Sequence, residues 1–149
     1  MRVSHRATYG IMAAVDLAMN GNSEPIQARS IAKRQSIPVR FLEQVLHAMK
    51  KAGLVESIRG AQGGYLLLQE PSQLTVADIL EALDGPVLHG GLRDGHANLK
   101  RESREQLLLG TVWEQVEQAE REVLTAITVE KLVERQRAID QQLNPMYHI

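Results

Sequence analysis

The sequence predicts a mainly α-helical fold that carries one short β-hairpin and ends in a long helix suited to self-association. Three observations predict it. Apolar residues recur at spacings of three and four along most of the chain, the period of amphipathic helices. Aromatic residues are only 3% of the total, so the core must be built from Leu, Val, Ile, Ala and Met, which favours helices over a β-sandwich. A single cluster, Gly60, Gly63 and Gly64, separates two short runs of strand formers. With 149 residues, 44% hydrophobic and 23% charged, the chain is long enough for one domain with a core plus an oligomerisation element.

The first helix is expected from Ser4 to Met19, with Ser4 as N-cap, Ala7, Ile11, Met12, Ala14, Val15, Leu17 and Ala18 as its apolar set, and Asn20-Gly21-Asn22 as its stop. Arg6 and Tyr9, three apart, share a side. Tyr9 has two readings, a phosphate contact beside Arg6 or a partly buried ring with a wet hydroxyl. After Ser23-Glu24-Pro25, Ile26 suits a short strand and Ala28 to Gln35 a short helix. Pro38 forces Ile37 extended and lets a new helix begin at or just after it. That helix, about Val39 to Ala52, turns Leu42, Val45, Leu46 and Met49 inward and Arg40, Glu43, Gln44, His47, Lys50 and Lys51 outward. Cations in its last turn and Gly53 beyond end it as helices commonly end.

Leu54 to Ile58 and Tyr65 to Leu68 read as two strands with Arg59 at the tip between them. Thr75-x-x-Asp78 opens a helix over about Val76 to Asp84, closed by Gly85-Pro86. Residues 87–105 have no clear period and read as a long loop. From about Leu107, the set Leu109, Val112, Val116, Ala119, Val123 and Ala126 steps by three and four as a heptad seam, free to pack within the chain or against a second copy. Thr128 caps a last helix from Val129 to about Gln141, followed by a frayed tail.

A short helix, a tight break, a longer basic helix and a hairpin with Arg59 at its tip form a winged helix-turn-helix arrangement. Arg and Lys neutralise phosphates, and Gln offers a paired donor and acceptor to a purine edge. Charge follows the same division. Residues 1–70 hold nine Lys/Arg against five acids, and the remainder is acidic, so the overall −1 hides a basic half and an acidic half. The partners expected are double-stranded DNA and a second copy of the chain, the latter because DNA-reading units of this size work as two-fold dimers on paired half-sites.

No phosphate loop, nucleophile elbow or paired catalytic carboxylates point to an enzyme; Asp78, Glu81 and Asp84 read as a solvated helix face. The chain has no cysteine, which excludes disulfides, thiolate metal sites and cysteine nucleophiles. No apolar run approaches a membrane span and no signal segment is visible, so a cytoplasmic location is expected. A winged-helix module used for protein contacts remains the alternative.

Several strings carry a resemblance: Ile31-Ala32-x-Arg34-Gln35-x-Ile37, Phe41-Leu42-Glu43-Gln44, Lys51-Ala52-Gly53-Leu54-Val55, Arg59-Gly60-x-x-Gly63-Gly64-Tyr65, Thr75-Val76-x-Asp78-Ile79 and Val112-Trp113. In this order, over residues 1–133, they resemble the bacterial winged-helix regulators that include IscR, NsrR and CymR. The resemblance implies a homodimer with crossing C-terminal helices on a palindromic operator. It implies that Arg40, Glu43 and Gln44 face bases, that Arg59 enters the minor groove, and that Arg6, Tyr9, Lys50 and Gly60 lie near phosphates. It also implies a dimerisation seam of Leu109, Val112, Val116, Ala119 and Val123, and a division into a DNA-binding domain (1–86; helix-turn-helix about 28–51, wing about 54–68), an effector loop (87–106) and a dimerisation part (107–149). Where many relatives start the recognition helix with Ser or Thr, this chain has Pro38. Where cluster-binding relatives place three cysteines, it has none, so a cysteine-held iron-sulfur cluster is not expected. A metal-sensing regulator that uses loop histidines is the second alternative: His89, Asp94 and His96 lie in that loop, though without a defined metal-ligand spacing.

Overall fold

The computed structural model describes residues 2–85 and 103–144. The elements run α1 (His5–Asn20), α2 (Ala28–Gln35), α3 (Val39–Lys51), β1 (Val55–Ile58), β2 (Gly64–Leu67), α4 (Val76–Asp84), α5 (Arg104–Ala126) and α6 (Val129–Leu143). The fold is mainly α with one antiparallel hairpin, as the sequence predicts.

The helix starts are set by local chemistry. Ser4 Oγ accepts the Ala7 amide at 3.0 Å to open α1. Thr75 and Asp78 form the reciprocal capping box of α4, with bonds of 3.0 and 3.1 Å. Thr128 Oγ1 accepts the Lys131 amide at 3.2 Å and opens α6. Pro38 is the N-cap of α3, with ψ 127°, so Val39 is the first helical residue. Between α2 and α3, Ser36 adopts a left-handed conformation (φ 55°), and the Ile37 amide closes on the Ala32 carbonyl at 3.0 Å.

The start of α5 departs from the sequence reading. It begins at Arg104, not near Leu107, because Ser103 and Gln106 form a second capping box with bonds of 2.9 and 3.2 Å. The apolar period does not reach those residues, so periodicity alone placed the helix late. The first two residues of α5, Arg104 and Glu105, thus fall in the stretch the sequence assigned to the loop. Residues 86–102, with His89, Asp94 and His96, and the tail 145–149 lie outside the described residues.

The core gathers Leu17, Ile31, Leu42, Leu46, Met49, Leu74, Ile79 and Val129, all buried. α1 lies at its centre and touches α2, α3, α4 and α6. Its crossing with α4 is close: a Cβ at Gly10 would stand 2.2 Å from Leu83 Cδ1. The last helix belongs to this body, since Val129 and Val133 are buried. Its entry is stitched to the start of α4 by bonds from Val76 N to Ile127 O (2.9 Å) and from Val129 N to Leu74 O (2.8 Å).

Candidate nucleic-acid interface

α3 presents two faces. Leu42, Val45, Leu46 and Met49 are buried, which fixes the helix against the core. Arg40, Glu43, Gln44, His47 and Lys50 are all exposed on the other side. The structure therefore brings the predicted base-facing residues onto one open surface. Pro38 provides no side-chain cap, so the free amides of the first turn lie at the exposed start of the helix.

The hairpin stands beside α3. β1 pairs with β2 in the register Val55 to Leu67 and Ile58 to Gly64, which leaves Arg59 and Gly60 exposed at the tip. Ile26 adds a bridge to Tyr65, with bonds of 3.0 and 2.8 Å, so the hairpin is anchored to the segment leading into α2. Gly64 permits this approach: it has φ +148°, and a Cβ there would lie 2.4 Å from the Ile26 carbonyl carbon. Lys50 Nζ donates to Ser57 Oγ at 2.7 Å and ties the end of α3 to the first wing strand.

From α1, Arg6 is exposed and Tyr9 is half-buried. The Tyr9 ring packs edge-on against Phe41 of α3, centroids 5.4 Å apart at 84°. Its ring therefore has a packing role, and its place at the α1–α3 junction keeps it beside the same surface as Arg6 and Arg40.

α5 is different. None of its residues is buried. Leu109, Val112, Val116 and Val123 are exposed by 50%, 43%, 40% and 58%, and Ala119 is exposed too. Leu107, Leu108 and Trp113 add to the open apolar surface. Trp113 was legible as part of this stripe, since it lies four residues after Leu109 and three before Val116; the strict heptad count passed over it.

A second cluster, Asp16 with Arg34 and Gln35, was not singled out by sequence reasoning. Asp16 on α1 is fully buried and accepts from Arg34 Nε (2.9 Å), Arg34 Nη2 (2.7 Å) and Gln35 Nε2 (2.9 Å). Donating hydrogen bonds to the Asp16 carboxylate holds the Arg34 pKa above its ordinary value. An acid on the inner face of an otherwise apolar helix was the available signal, because such a group needs a partner.

Among the described residues no group of three or more His, Asp or Glu is placed to hold a metal ion. No helix among them is long and apolar enough to cross a membrane.

A helix-turn-helix whose second helix exposes a polar, cationic face beside a glycine-tipped wing defines a winged-helix DNA-binding regulator. The comparisons carry this to a family. Residues 3–135 match the model of the Rrf2 family, described as iron-dependent transcriptional regulator. The chain is 34% identical over 132 residues to the HTH-type transcriptional regulator CymR of Bacillus subtilis, covering 89% of each chain. It is 31% identical over 146 residues to the HTH-type transcriptional regulator IscR of Cronobacter sakazakii, covering 94% of this chain and 85% of that one. The solved structure of the B. subtilis global cysteine regulator CymR superposes with a TM-score of 0.75 at 32% identity, over 91% of this chain and 98% of that one. The protein belongs to the Rrf2 family of transcriptional regulators. Its relatives are regulators and not enzymes.

The family description implies iron, and the donor set of this chain does not fit a thiolate-held cluster. There is no cysteine anywhere in the sequence, and the described residues offer no alternative cage.

Proposed function

We propose that the protein acts as a cytoplasmic homodimer that sets two winged heads on a palindromic operator and represses transcription there. The observation that carries the dimer is α5, a helix of 23 residues with an apolar stripe and no buried residue. A stripe of that size left to water is unfavourable, and a second copy covers it by two-fold symmetry. Each head then enters successive major grooves about 34 Å apart. Arg40, Glu43 and Gln44 meet base edges, Arg59 reaches the minor groove from the wing, and Arg6, Tyr9, Lys50 and Gly60 meet phosphates. Lys50, already donating to Ser57, has two further ammonium hydrogens for a phosphate. The signal is not read through cysteine thiolates, since the chain has none.

The test is selection of duplexes from a random pool with protein purified without oxygen, recording metal content and absorption on the same sample. A palindromic sequence bound with an affinity that falls steeply with salt is expected. Retention without a salt slope would point instead to a protein-contact module.

A further inference from the structure

The outer edge of the Asp16 cluster is not used within the chain. Asp16 takes the Nε hydrogen and one Nη2 hydrogen of Arg34, the side edge of the guanidinium, at 2.9 and 2.7 Å. Arginine carries five N–H donors in a fixed fork, so three remain, among them the paired Nη1 and Nη2 hydrogens of the end edge. Asp16 is fully buried and the Arg34 side chain is 41% exposed, so the free edge is the outer one. Arg34 lines a cleft of about 250 Å³ between α2 and the turn that follows the wing tip, together with Gln27, Ser30, Ala61 and Gln62. Gln27, the N-cap of α2, stands three residues before Ser30, and Ser30 four before Arg34, so the three share one side of the helix. Ser30 Oγ has no bond to the described residues, and Gln27 Nε2 reaches the Ala61 carbonyl only at 3.5 Å. No lining residue is acidic.

We infer that this cleft is an oxyanion subsite, in which the end edge of Arg34 and the Ser30 hydroxyl hold one phosphate group and the Gln27 amide closes on it. A planar fork meets two phosphate oxygens at once, which an ammonium cannot do. Asp16, itself held by Gln35 Nε2 at 2.9 Å, sets the plane of the guanidinium before a ligand arrives, so little side-chain freedom is lost on binding. The Arg34–Asp16 pair is neutral as a whole, so the subsite acts through aimed donors at short range and not through long-range attraction. Its walls are fixed to each other, because Ile26, which lines the cleft, exchanges bonds of 3.0 and 2.8 Å with Tyr65 of β2. Two sources can supply the group: a backbone phosphate of DNA, since the cleft adjoins the wing tip, or a free phosphate monoester. The first source rests on the reading that α3 and the wing face DNA; the subsite itself does not.

Inorganic phosphate is titrated into the full-length protein at constant ionic strength, with chloride as the control, while the Arg34 side-chain N–H and the Gln27 and Ser30 amide resonances are followed. Two variants accompany it. Arg34→Lys keeps a cation for Asp16 and loses the fork; Ser30→Glu puts a tethered carboxylate into the cleft, in the first turn of α2, where an acid suits the helix. Saturable shifts are expected in wild type, with binding weakened about tenfold or more in each variant. The second arm uses the duplex that wild type selects, carrying single neutral methylphosphonates stepped along each strand. A backbone phosphate in the cleft makes one position per half-site cost wild type about tenfold and cost Arg34→Lys clearly less. A free monoester as the source leaves no such position, while the phosphate shifts persist. Absence of both signals overturns the subsite, and so do equal phosphate shifts in wild type and both variants, which would place the anion elsewhere. If wild type selects no duplex, the DNA reading fails and the titration alone decides the subsite. If Arg34→Lys does not fold, Ser30→Glu carries both arms.

Discussion

The winged head and α5 are built from the same aliphatic residues and end in opposite states. In the head, apolar positions of five helices converge, and Leu42, Leu46, Met49 and Ile79 are fully out of water. In α5, Val112, Val116 and Val123 follow an equally regular period and stay exposed. Periodicity states which side of a helix is apolar; it does not state what covers that side. The head carries its own cover. α5 meets the head near its end, through Leu124, but leaves its stripe open within the protomer, the face for which a second chain is the proposed cover, and its start is secured by a capping box.

The largest effect that would break this contrast is expected from Val116→Glu. In a two-fold seam it buries two like charges near the axis, at a cost of about 3–5 kcal/mol, so sedimentation should show monomers at concentrations where wild type is dimeric. Thermal unfolding of the head should change little. An intact dimer would place the apolar stripe outside the interface.

Leu46→Ala tests the other side. Leu46 is fully buried, and truncation there should lower stability by about 2–5 kcal/mol through lost burial and a cavity. Denaturant melts report the loss, and the dimer, whose proposed contacts lie on α5, should persist at concentrations and temperatures where the head stays folded. Dissociation of folded Leu46→Ala heads would show that the two regions are not separable.

Arg59→Ala is the smaller perturbation at the DNA surface. Arg59 is exposed at the wing tip and outside the core, so its truncation should leave folding and dimerisation unchanged. If it reads a base edge, specific binding weakens by about 1–3 kcal/mol. Unaltered operator affinity would remove the wing from recognition.

The same contrast explains what the sequence made legible. Thr75-x-x-Asp78, the Pro38 break and the glycine hairpin are local devices, and the helices and strands they set lie within one or two residues of expectation. Arg40, Glu43 and Gln44 were legible because a buried opposite face forces them outward. The clamp at Asp16 was not, since it joins residues 18 and 19 positions apart that meet only once α1 and α2 have packed. The start of α5 was missed because Ser103-x-x-Gln106 precedes any apolar repeat. Lys50 was legible as a surface cation, but its bond to Ser57 depends on the wing folding back beside α3.

The finest test of the contrast uses the two capping boxes, which have the same chemistry in unlike settings. Thr75 and Ser103 each accept the amide three residues on, so replacing either by Ala removes about 1 kcal/mol of local helix stability. In α4 the helix is welded into the core by Val76, Ile79, Leu80 and Leu83. Its first turn cannot open alone, and the loss from Thr75→Ala should appear in the global unfolding midpoint. In α5 the first turn has no buried side chain to hold it, and unfolding there is uncoupled from the head. Ser103→Ala should therefore leave the midpoint unchanged and raise hydrogen exchange about fivefold at the amides from Gln106 to Gly110, the factor that 1 kcal/mol corresponds to when opening is local. Equal shifts of the midpoint by both variants would mean that the start of α5 is covered in solution, placing the dimer contact at Leu107 and Leu108 as well as along the central seam.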